Sequence, residues 1–216
     1  MPDQVGTPQM DANIQKLFLR IHEEVVNLFY CWKIYRQLFV SGEENLALLN
    51  RSGSNVFALL QSLIQENVLL TLCRLTDPEK TGAYENLSMR NILGKLEATI
   101  SVDVQADLRE RLEMLGAATG KLRTHRSKRI AHLDLTHATN PELLPPVYFA
   151  EVEEALSLLE AIMRSVHLSV LNADTRYKEP NIAYGCDGIF LLSVLKEAHK
   201  PQEGLSSTQD VVICKS

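Results

Sequence analysis

Uninterrupted apolar runs and paired cysteines are both missing from this 216-residue sequence. No run approaches the roughly 20 apolar residues of a membrane span, and the first residues contain neither the basic nor the apolar stretch of a secretory signal. The four cysteines, Cys31, Cys73, Cys186 and Cys214, form no CxxC motif. We therefore expect reduced thiols, with no disulfide framework or zinc knuckle, in a cytoplasmic protein that does not enter a membrane.

Several widespread catalytic motifs are also missing. The sequence contains no GxxxxGK[ST], GxGxxG, GxSxG or HExxH pattern, which argues against P-loop, dinucleotide, serine-hydrolase and zincin chemistry. His125, His132, Asp134 and His137 are potential metal ligands. On a straight helix, however, His125 and His132 would lie about 10 Å apart along the axis, too far for one ion. We predict no metal and no cofactor.

Strand signals are nearly absent, and helical spacing of apolar residues dominates. The pattern predicts an all-α, up-down bundle of four long helices with short accessory helices. Long helices are expected over residues 12–40, 55–76, 103–130 and 147–171, and short ones over 43–50, 88–98 and 189–199. The helix over 55–76 is apolar nearly all round, so it is expected at the centre of the bundle.

Glycines, serines and prolines mark the interruptions. Residues 51–54 predict a break, and Gly116 and Gly120 predict a bend or a close helix approach. Residues 78–87 are expected to form a polar loop. We divide the chain into a flexible N-terminus (1–10), a helical bundle (11–176) and an extension with one short helix and a polar tail (177–216).

The charge is unevenly distributed along the chain. The net charge is −5, yet residues 121–132 carry five lysines and arginines and no acid, leaving 17 basic and 27 acidic side chains on the rest. A basic island on an acidic body attracts a polyanion to one place. The same pattern is also typical of a solvated helix face that pairs with acids from neighbouring elements.

Arg126 and His132 could together cleave RNA without a metal. Such cleavage needs a base for the 2′-hydroxyl, an acid for the leaving oxygen and a cation for the charge developing at phosphorus. An imidazole can act as base or acid near neutral pH, and a guanidinium can bind two phosphate oxygens. Six helical positions separate the two side chains by about 120° and about 9 Å, so they can converge only across a groove, a bend or a dimer cleft. Alternatively, Arg126 pairs with an acid and His132 packs beside Ile130 and Leu133.

Three stretches resemble a known family. The segment RSKRIAH (Arg126–His132) resembles the Arg-(four to six residues)-His signature of the HEPN superfamily, and with Asp134 it is most similar to the abortive-infection AbiU2-type branch. The segments WKIYRQLF (32–39) and CRLTDP (73–78), the latter followed by ENLS (85–88), support the same branch. The resemblance covers residues 10–175.

The resemblance implies a four-helix core and a homodimer with paired motifs in an interfacial cleft. It further implies a metal-independent endoribonuclease of a toxin–antitoxin or abortive-infection system, with RNA as substrate and an antitoxin or regulatory protein as a further partner. Arg126 would bind phosphate and His132 would be catalytic. Ser127 stands where such proteins often have Asn, Asp or His, and Leu133 stands where one toxin subtype has Tyr. Other members bind RNA, nucleotides or proteins without cleaving RNA, so a non-catalytic module remains the alternative.

Five further residues are expected to contact the RNA. Four of them, His125, Ser127, Lys128 and Arg129, surround the motif, and Arg74 would add a cation from another helix. Arg74 could instead pair with Asp77 at the i, i+3 spacing of one helix.

An aromatic series lies within the segment WKIYRQLF (32–39). Trp32, Tyr35 and Phe39 could stack nucleobases. Their spacing of three and four residues is also typical of a helix face that packs into a core, which is the interpretation we favour. Cys31 and Cys73 are expected to be buried thiols in apolar helices.

Overall fold

Helices dominate residues 11–200, the part of the chain that the structure, a computed structural model, describes. The eight α-helices are α1 (Ala12–Phe39), α2 (Glu43–Leu75), α3 (Met89–Leu96), α4 (Val102–Ala118), α5 (Gly120–His125), α6 (Leu135–Thr139), α7 (Phe149–Leu171) and α8 (Gly188–Ala198). The predicted all-α class is confirmed, and the long helices predicted over residues 12–40 and 147–171 agree with α1 and α7. The expectations for residues 1–10 and 201–216 lie outside the described residues.

Side-chain caps fix where several helices begin. The Asp11 carboxylate accepts a hydrogen bond from the Asn13 amide at 2.8 Å and starts α1. Ser88 accepts from Asn91 to start α3, and Asp187 starts α8 in the same way. Each cap satisfies an amide that has no partner within its own helix. The helix starts predicted near these residues therefore agree with the structure.

The core lies between two packed helix pairs. α1 packs against α2, and α4 packs against α7. Their facing sides bury large apolar residues, among them Phe18, Leu72, Leu115 and Leu159. The short connection of residues 40–42 holds α1 and α2 beside each other, as is usual for neighbouring helices in bundles.

The first half of α2 is not at the centre of the bundle, so that prediction is wrong. Val56, Leu59 and Leu63 are 60%, 60% and 52% exposed, whereas Leu72 near the other end is fully buried. The helix bends at Gly53, whose φ of 144° is accessible to glycine and strained for other residues. An apolar periodicity shows which residues avoid water, but it does not show whether their partner belongs to the same chain.

α2 is also long and apolar enough, by length and composition, to cross a membrane. Only 28% of its most apolar window is buried inside the structure. A core helix of a soluble protein can pass the same test, and Gln61, Gln65 and Glu66 interrupt the apolar run. An 18-residue window of α2 is therefore apolar on average, although polar residues interrupt it.

The helix predicted over residues 103–130 is divided in three. α4 ends at Ala118, α5 follows Thr119, and residues Arg126–Ile130 form a π turn. The hydroxyl of Thr119 bonds back to the carbonyl of Leu115 at 3.0 Å at the break. The break falls between Gly116 and Gly120, where a bend was predicted, but the π turn was not predicted.

Short elements occur in the predicted loops. Residues Lys80–Thr81 (β1) and Tyr84–Glu85 (β2) form a two-residue antiparallel hairpin. The short helix α6 and a 3₁₀ turn (Pro141–Leu143) precede α7. These elements have too few residues to show a periodicity.

Candidate functional site

Arg126 is held by a carboxylate at the end of α2. Its Nη1 donates to both oxygens of Asp77, at 2.7 and 2.9 Å. The sequence stretches around Asp77 and Arg126 are 49 residues apart, and this ion pair joins them in space. The possibility that Arg126 pairs with an acid is therefore realised, with Asp77 as the partner.

Asp77 serves two arginines at once. Nη1 of Arg123 donates to it at 2.9 Å, while Nη2 of Arg123 binds the carbonyl and the hydroxyl of Thr76. The side chain of Asp77 is 16% exposed, and its hydrogen bonds raise the pKa of Arg126 despite partial burial. One carboxylate and two guanidinium groups leave one positive charge on this group.

Part of the Arg126 guanidinium remains available as a donor. Both hydrogen bonds to Asp77 use Nη1, and neither Nε nor Nη2 bonds to any residue between 11 and 200. The side chain is 34% exposed. Arg126 therefore has a fixed position and two further donor groups that can bind phosphate oxygens.

His132 follows the π turn that begins at Arg126. The amide of Ala131 donates to the carbonyl of Arg126 at 2.7 Å, five positions earlier. His132 is exposed, and its imidazole makes no hydrogen bond or ion pair with a described residue. π turns inside helices are frequent at functional sites. The alternative in which His132 packs beside Ile130 and Leu133 is not observed, because His132 itself is exposed and Leu133 is 80% exposed.

The other cations of residues 121–129 also have acidic neighbours. Lys121 pairs with Glu151, Lys128 with Asp134 at 3.1 Å, and Arg129 with Glu66 at 3.6 Å. The five cations thus share four carboxylates, as expected for a paired helix face.

Asp134 organises the segment after the motif. It accepts hydrogen bonds from the ring and the backbone of His137 and from Lys128. These bonds hold the pKa of the Asp134 carboxyl well below its usual range. Lys128 is thereby directed toward Asp134 on the exposed side of the motif.

The neighbours of Arg126 in sequence point in different directions. His125 is partly buried, and its Nε2 lies 2.7 Å from the carbonyl oxygen of Pro145. Ser127 is exposed and donates to the carbonyl of Thr124 at 3.2 Å. Of the five residues expected to contact RNA, these two are therefore on different sides of the helix.

Arg74 does not pair with Asp77. Its Nη2 lies 3.0 Å from a Glu24 oxygen and 3.2 Å from the Thr71 hydroxyl. Its side chain is 56% exposed. Arg74 therefore binds Glu24 of α1, while Asp77 binds Arg123 and Arg126.

The aromatic residues of α1 lie mainly in the core. Trp32, Tyr35 and Phe39 are all buried. Trp32 stacks on Tyr35 with ring centroids 5.1 Å apart and an interplanar angle of 10°. Its indole nitrogen donates to Glu153 at 2.7 Å, which fixes the plane of the ring.

A buried cluster of two histidines and a tyrosine was not predicted from the sequence. The hydroxyl of Tyr177 lies 2.7 Å from His22 Nδ1 and 2.7 Å from His167 Nε2. Burial lowers the pKa of His167 to about 4 and raises the pKa of Tyr177 far above its usual value. The one feature of the sequence that could have indicated this cluster is a lone histidine on each of two otherwise apolar helix faces. His22 and Tyr177 lie 155 positions apart, so no local pattern relates them.

No group of three or more His, Cys, Asp or Glu side chains that could hold a metal occurs within residues 11–200. Cys73 is fully buried and Cys31 partly buried. Burial raises the pKa of the Cys73 thiol to about 11. Within this part of the chain, Cys31, Cys73 and Cys186 are free thiols.

Comparison with known proteins identifies one family. The AbiU2 model of the HEPN domains matches residues 11–185, which includes Asp77, Arg126 and His132. No match was found among curated proteins or solved structures.

Proposed function

Because the chain belongs to the AbiU2 family of HEPN domains, we propose that it is a metal-independent endoribonuclease that acts in abortive infection or as a toxin. Arg126 binds the scissile phosphate of RNA, and His132 transfers protons. The active form is a homodimer in the cytoplasm, with one motif from each chain in a shared cleft.

The arrangement of Arg126 relative to His132 carries this proposal. Asp77 fixes the guanidinium through Nη1 alone, so Nε and Nη2 are free to bind phosphate. The imidazole of His132, one turn further along, is exposed and has no partner among the described residues. A positioned cation and a free acid–base group on one segment fit phosphodiester cleavage.

The reaction uses the 2′-hydroxyl of the RNA as nucleophile. One His132 accepts the proton of the 2′-hydroxyl while the O2′–P bond forms. The P–O5′ bond then breaks, and a second imidazole donates a proton to the departing O5′. The products are a 2′,3′-cyclic phosphate and a 5′-hydroxyl, and Arg126 stabilises the charge on the phosphate oxygens during the transfer.

Two proton-transfer groups require a second copy of the chain. The described chain offers one exposed imidazole at the motif, and a twofold axis beside His132 would supply the other. Leu133 and Leu135, which flank His132 on its C-terminal side, are 80% and 79% exposed. The exposed stripe of Val56, Leu59 and Leu63 on α2 is a further apolar surface of the kind that marks protein interfaces.

The test is RNA cleavage in EDTA by the purified full chain. We expect cleavage that survives chelation and leaves 2′,3′-cyclic phosphate ends. Replacing the nucleotide before a cleavage site by its 2′-deoxy form is expected to prevent cleavage at that site. Arg126→Ala and His132→Ala abolish it. His199→Ala removes an exposed histidine near the end of α8 and serves as the matched control, which retains activity. Intact RNA under all conditions contradicts the proposal.

The dimer has its own test by sedimentation. Leu133→Glu places a charge in the expected interface, and we expect it to yield monomers and to lose cleavage. Val102→Glu changes a residue of similar exposure at the start of α4 and leaves both properties unchanged. A monomeric wild-type chain with full activity contradicts the shared cleft.

A second candidate is a non-catalytic module that binds RNA, a nucleotide or a protein, and it is favoured by the single exposed imidazole that the described chain offers at the motif. In this function His132→Ala leaves the affinity for RNA unchanged. Charge reversal at Arg126 and Arg129 abolishes binding, and the affinity falls steeply with salt. Binding without any turnover distinguishes this candidate from the endoribonuclease.

A further inference from the structure

A cavity of about 400 Å³ lies between residues 125–129 and the aromatic residues of α1 and of the start of α7. Its walls combine rings and cations from four elements: Trp32, Tyr35, His125, Arg129, Tyr148 and Phe149. Its volume falls in the range of small-molecule sites, which are largely apolar with a few polar groups. We propose that this cavity binds one nucleobase of the RNA next to the cleaved phosphate. The inference rests on the proposed function and adds a base-recognition subsite to it.

The rings already form a stack that a base can extend. Phe149 stacks on Trp32 with centroids 5.1 Å apart and an interplanar angle of 25°, and Trp32 stacks in turn on Tyr35. Phe149 is 41% exposed, so the outer end of this column is accessible. Every nucleobase has a flat face that stacks on such a ring.

A hydrogen-bond acceptor without a partner favours a base that carries an amino group. Nε2 of His125 faces the carbonyl of Pro145, which can only accept, so Nε2 carries the proton of the neutral ring. Nδ1 is then an acceptor, and it is buried without a partner among the described residues. Gln65 uses its amide nitrogen on the Tyr35 hydroxyl at 2.8 Å, which directs its amide group along the same wall. An exocyclic amino group can donate to Nδ1 of His125.

Two cations, each with a carboxylate neighbour, lie beside the rings that line the cavity. Nη2 of Arg129 lies 3.6 Å from Glu66, which is longer than a hydrogen bond, and the side chain is 46% exposed. The guanidinium is therefore loosely held. Nζ of Lys121 lies 5.6 Å from the ring centre of Tyr148. Both cations belong to the segment that contains Arg126.

The spacing to the motif matches a flanking nucleotide. The α2 residues that line the cavity end at Leu72, and Asp77, which holds Arg126, lies five residues later. The rise from Leu72 to the end of α2 at Leu75 is about 5 Å, and Asp77 follows two residues later, so the step is of the order of one nucleotide. His125 lines the cavity and is adjacent in sequence to Arg126, so a bound base brings its phosphate toward the Arg126 guanidinium.

The experiment follows the fluorescence of Trp32, the one tryptophan of the sequence. The intact protein is titrated with AMP, with IMP, which has an oxo group in place of the amino group, and with ribose 5-phosphate, which has no base. Excitation at the red edge of the tryptophan band avoids absorption by the bases. We expect AMP to quench the fluorescence to saturation, IMP to bind about tenfold more weakly, and ribose 5-phosphate to have no effect.

Variants assign the effect to the cavity. Phe149→Leu weakens AMP binding about tenfold, because the outer stacking ring is lost. Tyr84→Leu removes an exposed aromatic ring from the hairpin and leaves AMP binding unchanged. Equal quenching by ribose 5-phosphate indicates a phosphate site only and overturns the inference, as does the absence of quenching by AMP. AMP and IMP binding equally well overturns the role of His125.

Cleavage assays separate this inference from the proposed function. His132→Ala is expected to stop cleavage and to keep AMP binding. If the wild-type protein binds AMP through Phe149 but never cleaves RNA, the endoribonuclease proposal fails and the subsite stands. If RNA is cleaved but AMP does not bind and Phe149→Leu leaves the cleavage sites unchanged, only the subsite fails.

Discussion

His167 and His132 occupy opposite environments within one chain. His167 is buried on α7, packs against Phe18 with the two rings tilted and bonds to the Tyr177 hydroxyl at 2.7 Å. His132 is exposed after the π turn and bonds to no residue between 11 and 200. The buried imidazole has its partners supplied by the fold, whereas the exposed one is free to find a partner outside the chain.

This difference separates a structural histidine from a candidate reactive one. Burial holds His167 neutral, with a pKa of about 4, and thereby removes it from proton transfer near neutral pH. His167 contributes by joining α1, α7 and the segment around Tyr177. The number of contacts that an imidazole makes in the fold is therefore informative about its role.

The largest expected effect separates the two histidines by function. His132→Ala is expected to lower the rate of RNA cleavage by at least ~100-fold, the usual range for loss of a general acid or base, without changing the melting temperature. His167→Ala is expected to lower the melting temperature, because it leaves the Tyr177 hydroxyl without one partner. Initial cleavage rates and thermal unfolding of both variants measure this. A loss of stability in His132→Ala would remove the contrast.

The second prediction concerns pH. The pKa of His167 is about 4 in the folded chain and about 6.5 when unfolded, so the unfolded state binds more protons between these values. His167 therefore contributes stability that is complete above about pH 6.5 and is lost as the pH falls toward 4, amounting to about 3 kcal/mol. Burial lowers the pKa of His22 as well, which acts in the same direction.

Urea unfolding across this pH range provides the measurement. His167→Gln keeps a polar group beside Tyr177 but cannot titrate, so its free energy of unfolding should depend less on pH than that of the wild type. His199→Gln is the control and should keep the wild-type slope. Identical slopes in wild type and His167→Gln would contradict the assignment.

The third prediction addresses the hydroxyl that joins the buried pair. Tyr177→Phe leaves His22 Nδ1 and His167 Nε2 without their common partner, and we expect a loss of about 2 kcal/mol in unfolding free energy. Tyr84→Phe, at an 80% exposed position, should have no effect. Chemical denaturation measures both, and equal stabilities of the two variants would show that the cluster contributes nothing.

The smallest expected effect concerns Asp77, the carboxylate that holds Arg126 near the exposed His132. Asp77→Asn keeps the shape of the side chain but removes the charge that holds Arg126, and we expect cleavage to fall about tenfold, a change of about 1.4 kcal/mol. Glu66→Gln is the matched control, because its partner Arg129 is held only loosely at 3.6 Å. Cleavage rates at saturating RNA measure the effect, and a rate equal to that of Glu66→Gln would argue against positioning by Asp77.

The helices could be predicted because their signals are local. Apolar spacing and the caps Asp11, Ser88 and Asp187 act within a few residues of each helix start. The hairpin at Lys80–Glu85 and the π turn have no comparable signal, since their geometry depends on neighbouring elements. The exposed half of α2 was misplaced for a related reason, because Val56 and Leu59 have the same pattern as a buried face.

The site was predictable only in part. The Arg126–His132 segment was recognisable as a motif, but the partner of Arg126 was not. The i, i+3 rule suggested Arg74 for Asp77, whereas the fold pairs Asp77 with arginines 46 and 49 residues away. Long-range pairs of this kind leave no trace in a single sequence.

The π turn between Arg126 and Ile130 also bears on how such a motif is counted. A turn that closes on the fifth residue accommodates one more residue than an α-helical turn, so two chains can differ in the number of residues between Arg and His and still place both groups one turn apart. A signature that permits four to six intervening residues is then compatible with a single spatial arrangement. The wider turn accommodates the additional residue in the backbone, so the relative positions of the two side chains are kept.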